Sequence, residues 1–206
     1  RCFGVAGERA LLKEGYARVT EKLDGRGNSV EWACFDTADK PTLDRANYKH
    51  RAEMAYDERG NLTNWVMFDI AGRRSTSVSG FSQIAMRFNE RDQEVERTYL
   101  DSAGKPARIN GGYARVVRRF DERGRVLEES YFDEAGQPRG GAARYARKVL
   151  SYDAKGNLAS EDFFDAAGQL MAGENQYARM TARNDERGNR IEEAYFDELG
   201  LPVLHK

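Results

Sequence analysis

Phe120-Asp121-Glu122-Arg123-Gly124-Arg125-Val126 is a tight turn set between two runs of strand-forming residues. Its Asp can accept hydrogen bonds from the backbone ahead of it, and its Gly supplies a positive φ at no steric cost. That combination specifies a type I turn closed by a G1 bulge, a common three-residue hairpin loop. Asp121 then faces Arg125, and counting outward pairs Phe120 with Val126, Arg118 with Glu128, Val116 with Ser130 and Ala114 with Phe132. The other face pairs Arg119 with Leu127, Val117 with Glu129 and Arg115 with Tyr131. Asp133-Glu134-Ala135-Gly136-Gln137-Pro138 repeats the Asp-x-x-Gly chemistry, and its Pro bars a strand or helix from running on. Glu128 to Glu134 tolerates a helical reading locally, but recurrent Gly and Asp punctuation leaves no room for long helices, so strand is preferred.

The turn recurs along the chain. Leu23-Asp24-Gly25-Arg26-Gly27, Tyr56-Asp57-Glu58-Arg59-Gly60, Phe88-Asn89-Glu90-Arg91-Asp92, Tyr152-Asp153-Ala154-Lys155-Gly156 and Asn184-Asp185-Glu186-Arg187-Gly188 match it at steps of 33 and then 32 residues. The second turn keeps the same spacing through Phe35-Asp36, Phe68-Asp69, Leu100-Asp101, Phe132-Asp133, Phe164-Asp165 and Phe196-Asp197, with Asp39 standing where later copies have Gly. A fixed period of this length prescribes an all-β tandem array of about six 32-residue β-hairpin repeats, forming an extended twisted antiparallel sheet or solenoid. The repeat cores are 16–47, 48–80, 81–112, 113–144, 145–176 and 177–206, and 1–15 reads as the tail of a preceding repeat, so the whole chain reads as one array cut from a longer protein.

Repetition turns positions into columns, with equivalent residues expected about every 10 Å along the stack. One column holds Phe35, Phe68, Leu100, Phe132, Phe164 and Phe196; with Ala17, Ser82, Ala114, Ala146 and Ala178 it is the expected buried seam. The opposite face is expected to carry Arg18, Arg51, Gln83, Arg115, Arg147 and Arg179 beside Cys34, Met67, Tyr99, Tyr131, Phe163 and Tyr195. An Arg over an exposed ring there contributes about 0.5 to 1 kcal/mol. Such columns are structural ladders first and partner surfaces second. One departure stands out: where later copies have Glu129, Glu161 and Glu193, the first two have Trp32 and Trp65. Beside Cys34 and Met67 they form an apolar patch suited to a protein or a sugar ring, or to cover by another domain. The candidate binding residues are therefore Trp32, Trp65, Met67, Arg115, Tyr131, Arg147, Arg179 and Tyr195. Arg73 to Gly80 replaces the Gly-x-Pro turn and is the expected flexible stretch.

Catalytic chemistry finds little support. Lys and Arg number 33 against 34 Asp and Glu, a net charge of -1 that gives no attraction to nucleic acid or an anionic membrane. Cys2 and Cys34 occupy equivalent places in adjacent copies, too far apart on the expected spacing for a disulfide, so both are expected to be free thiols. His50 and His205 have no ligand-spaced partners, no Gly-x-Ser-x-Gly elbow is present, and adjacent carboxylates such as Glu128 and Glu129 point to opposite strand faces. The Asp-Glu-Arg-Gly-Asn turns hold one Asp where a calcium loop alternates several oxygens. No catalytic residue, metal or cofactor is expected.

Tyr56-Asp57-Glu58-Arg59-Gly60-Asn61-Leu62 and Tyr152-Asp153-Ala154-Lys155-Gly156-Asn157-Leu158 resemble the core of bacterial YD repeats, the units of the RHS family, and Gly15-Tyr16-Ala17 and Gly112-Tyr113-Ala114 resemble the WG-like class of tandem β repeats. The period of 32 is longer than is usual in YD repeats, and the Trp-Gly pair is absent. The resemblance implies a bacterial, surface-associated or secreted β-hairpin array serving as a shell, spacer or binding platform, with no active site to carry over. Three functions follow as expectations: a noncatalytic scaffold binding a protein partner or a neighbouring domain of the same polypeptide, a carbohydrate or cell-wall binding module, and an RHS-like shell segment. Self-association through open sheet edges is also expected.

Overall fold

The computed structural model describes residues 10–45, 48–141, 144–173 and 175–204. Cys2 and His205 lie outside them. The chain is all-β and divides into two compact units, Arg1–Ile109 and Asn110–Lys206. The first holds β1 (Arg18–Leu23), β2 (Ser29–Phe35), β3 (Arg51–Tyr56), β4 (Leu62–Phe68), β5 (Gln83–Phe88) and β6 (Glu94–Leu100). The second holds β7 (Arg115–Phe120), β8 (Val126–Phe132), β9 (Arg147–Tyr152), β10 (Leu158–Phe164), β11 (Arg179–Asn184), β12 (Arg190–Phe196) and a short β13 (Pro202–Val203). Within each unit every strand pairs antiparallel with the next, so each repeat is one hairpin laid beside its neighbour.

The turns form as their residues require. Asp121 N donates to the Arg125 carbonyl at 2.9 Å, and Gly124, at φ 83°, donates to the Asp121 carbonyl at 3.0 Å. Oδ1 of Asp121 accepts from the backbone N–H groups of Arg123 and Arg125, both at 2.9 Å. Copies stack turn on turn: Arg26 Nη1 donates to the Glu58 carbonyl at 2.7 Å, and Lys155 Nζ to the Glu186 carbonyl at 2.6 Å. Asp39 and Asp92 take the glycine position at φ 61° and 59°, which their short polar side chains tolerate.

These bonds hold several turn carboxylates below their usual range. The leading cause at Asp24, Asp57, Asp153 and Asp185 is the side-chain hydrogen bond from the Asn four residues on, at Asp121 that from Arg125, and at Asp69 the backbone N–H of Arg73. A carboxyl depressed in the fold stabilises it fully above the ordinary value of 3.8, and the contribution is lost as the pH falls through the folded-state values. The melting temperature is therefore expected to fall on acidification below about pH 4, and Asp121→Asn with Asp153→Asn is expected to flatten that acid limb in a series of thermal melts.

The register differs from the sequence expectation by one residue. Phe120 pairs with Val126 as expected, but Leu127 then bulges, so Arg119 pairs with Glu128, Arg118 with Glu129, Val117 with Ser130, Val116 with Tyr131 and Arg115 with Phe132. The same irregularity occurs in the other five hairpins. Because side chains alternate with period two, one extra residue moves the rest of the second strand to the other face.

That shift inverts the expected core. The Phe column is only half-buried, and Arg guanidinium groups lie over its rings: Arg18 over Phe35 at 4.0 Å, Arg51 over Phe68 at 4.1 Å, Arg115 over Phe132 and Arg147 over Phe164 both at 4.3 Å. The cation–π pairs exist, with partners other than the Tyr column. The buried column is the one expected outside: Cys34, Met67, Tyr99 and Phe163 are buried, with Tyr131 and Tyr195 partly so. Ala17, Ser82, Ala114, Ala146 and Ala178 are buried as expected. Over this face runs a ladder of rings, Tyr113 to Tyr131 at 4.8 Å, Tyr131 to Tyr145 at 5.8 Å, Tyr145 to Phe163 at 4.8 Å, Phe163 to Tyr177 at 5.6 Å and Tyr177 to Tyr195 at 4.9 Å. Gly173 crosses against it so closely that a Cβ would lie 3.1 Å from the Phe163 ring. Arg73 to Gly80, expected to be loose, is tied down. Ser75 and Ser77 are buried, Ser75 Oγ donates to the Tyr48 carbonyl, and Ser75 N donates to the Met67 carbonyl at 2.9 Å.

Candidate functional site

In five of the six copies the residue before the first strand's buried Ala or Ser is aromatic: Tyr16, Phe81, Tyr113, Tyr145 and Tyr177. In the second copy it is Lys49. A ring there stacks on its neighbours, as Phe81 does on Trp65 at 6.2 Å and on Tyr99 at 5.2 Å. Lys49 instead turns its ammonium inward to the buried carboxylate of Asp44. Nζ lies 4.6 Å from the centre of the Trp32 ring and 5.8 Å from that of Trp65. The pair is 7% and 6% exposed, so the charge of Lys49 is compensated by one carboxylate and two indole faces.

Register places both indoles on one face. Trp32 pairs with Ala52, Ala52 with Met67, Met54 with Trp65 and Trp65 with Ile84. Between them opens a cleft of about 330 Å³, lined by Trp32, Trp65, Ala52, Met54, Leu62, Lys49, Ser29 and Glu21. Its floor is Ala52, where the other copies carry Val19, Ile84, Val116, Lys148 and Met180. Two local changes therefore make the opening: a small residue in the strand, and a lysine drawn down to Asp44 where a ring belongs. In the second unit the same face is closed by polar pairs. Tyr131 donates to Glu129, which also accepts from Arg118 at 2.6 Å, and Tyr177 donates to Glu161 at 2.8 Å. Burial opposes charge on Glu129, but the bonds from Tyr131 and Arg118 outweigh it and hold the carboxyl below its usual range. Burial pushes the Tyr177 phenol up to about 12.

Cys34 lies beside the cleft. Its thiol is buried, donates to the Thr42 carbonyl at 3.0 Å, and is pushed up to about 11, first by burial and then by the nearby charge of Asp44. Such a thiol carries little thiolate near neutrality and is a poor nucleophile. Among the described residues no three His, Cys, Asp or Glu are grouped to hold a metal ion, and no helix is long and apolar enough to cross a membrane.

The eight residues singled out from the sequence fall into three sets. Trp32 and Trp65 meet at the cleft, while Met67 is fully buried beneath that face and offers nothing to a partner. Tyr131 and Tyr195 belong to the ring ladder of the second unit. Arg115 and Arg147 lie over Phe132 and Phe164 on the opposite face, and Arg179 is paired with Asp162 at 2.7 Å. Sequence reasoning missed Lys49, Asp44 and Ala52. The signal was present as a break in the aromatic-Ala-Arg column at Lys49-His50.

No family model matches the chain, and no curated protein sequence matches it. Among solved structures it is similar to the crystal structure of a TcdB2–TccC3–Cdc42 complex, at 14% identity over 86% of this chain with a TM-score of 0.38. It is also similar to the Photorhabdus luminescens Tc holotoxin pore, at 14% identity over 89% of this chain with a TM-score of 0.39. The chain spans 9% of the length of each of those chains.

Proposed function

We propose that the chain is a noncatalytic β-hairpin repeat segment of a larger bacterial protein, and that it binds a polypeptide through the face carrying Trp32 and Trp65. The observation that supports this reading is the contrast between copies. Later copies close the face with rings and Tyr–Glu–Arg pairs, whereas the first two open it between two indoles. The groups nearest the opening are poorly suited to chemistry, since Lys49 is held by Asp44 and the Cys34 thiol is held protonated.

The partner is a separate protein or a domain of the same polypeptide. If the segment is part of an RHS-like shell, as its YD-like turns suggest, the same face meets an enclosed polypeptide. A photoreactive amino acid in place of Met54, which lines the cleft, tests this in the full-length parent protein. A peptide adduct that disappears with Trp65→Ala is expected, and it is intramolecular if the partner is enclosed. An adduct to polysaccharide alone would contradict the reading and favour a carbohydrate-binding module.

A further inference from the structure

The opening between Trp32 and Trp65 has a shape that the other copies define. In the third copy the corresponding space is filled by Ile84, packed between Trp65 and Tyr99, with Phe81 stacked across it. In the second copy Ala52 leaves that volume empty, and the Lys49 ammonium, held by Asp44, stands where the third copy has the Phe81 ring. What is missing is therefore flat and apolar, bounded by the indoles and by Met54 and Leu62.

Charge narrows the occupant further. Glu21 is exposed at the rim and disfavours an anion, while the Lys49 ammonium beside both indoles already fills the cation-binding role and disfavours a second cation. Ser29 lines the cleft, and its buried Oγ has no hydrogen-bond partner among the described residues. A buried hydroxyl without a partner is costly, and one polar substituent on a ligand satisfies it if the seated ring displaces the atoms that cover it. A sugar fits poorly, because each of its hydroxyls needs a partner and the walls are mainly hydrocarbon and indole.

We infer that this cleft is a binding site for an uncharged planar aromatic ring bearing one hydrogen-bonding group, a phenol or an indole, seated over Ala52 between Trp32 and Trp65. The inference deepens the proposed function and rests on its choice of face: the ring is the anchor that a tyrosine or tryptophan side chain of the bound polypeptide provides, in keeping with the weight such residues carry at interfaces. A free small aromatic has the same chemistry and is the alternative source.

The two Trp residues of the chain both line the cleft, so their indole N–H signals in a proton–nitrogen NMR spectrum report on it directly. Titration with p-cresol is expected to shift both signals saturably, with a Kd of about a millimolar or tighter for so small a ligand. Cyclohexanol, which has a hydroxyl but no flat ring, is expected to bind at least about tenfold more weakly. Ala52→Ile places in the cleft the residue that the third copy carries, and is expected to keep the fold and abolish the shifts. Ala52→Val, the residue of the first and fourth copies, is a second filling variant should the first disturb packing. An extended peptide with one central tyrosine distinguishes the sources. Binding tighter than p-cresol marks a polypeptide anchor, and binding weaker than p-cresol marks a free aromatic. Absence of any saturable shift, equal binding of cyclohexanol, or undiminished binding by both filled variants would overturn the inference. If that happened while the adduct at Met54 persisted, the partner face would stand and only its ring chemistry would fail.

Discussion

Asp44→Ala is expected to destabilise the first unit by about 3 to 5 kcal/mol, because it leaves the Lys49 ammonium buried without its carboxylate. The loss comes from the stranded charge more than from the pair itself, since two desolvated ions recover little beyond their desolvation cost. Asp44→Leu combined with Lys49→Met is therefore expected to recover most of the stability, although each removes half of the same contact. Both indoles flank Lys49, so urea unfolding followed by tryptophan emission reads the right place, in an array whose copies need not unfold together. A cost for Asp44→Ala below about 1 kcal/mol, the scale of an exposed ion pair, would mean that Lys49 reaches water.

The adjacent residues Phe163 and Phe164 give the second large effect, because they point to opposite faces. Phe163 is 5% exposed and packs in the cluster of Tyr145, Tyr177 and Met180 beneath Gly173, so Phe163→Ala is expected to cost about 3 to 5 kcal/mol. Phe164 is half-buried under the Arg147 guanidinium, and Phe164→Ala is expected to cost no more than about half as much. Urea unfolding of the two variants, with hydrogen exchange in β9 to β12 as a local reading, compares them. The reverse order would restore the uninterrupted hairpin register and put the Phe column back in the core.

That comparison also marks how far the sequence could be read. Hairpins, turn chemistry and repeat period were legible, because Asp121 and Gly124 act through local hydrogen bonds and a local φ that their own chemistry dictates. The core was not. The bulge at Leu127 is a single extra residue with no Gly or Pro to announce it, and period-two alternation turns that one residue into an exchange of faces. The Phe and Tyr columns are both aromatic, so composition does not say which is buried, and only the register does. At the cleft, Trp32 and Trp65 were visible as departures from the Glu column, whereas Asp44 was hidden in a segment outside the strands. Its role appears only once the chain between β2 and β3 brings it against Lys49.

Lys49 stands where the other copies place a ring, held between Trp32 and Trp65. Proton NMR reads this directly through the ε-methylene of Lys49, which ring currents from the nearby indoles displace. The expected result is a large upfield shift of those protons with nuclear Overhauser contacts to both indoles. A methylene at its ordinary solvent-exposed position, with no contact to either indole, would contradict the buried lysine, the cleft above it and the ligand assigned to that cleft.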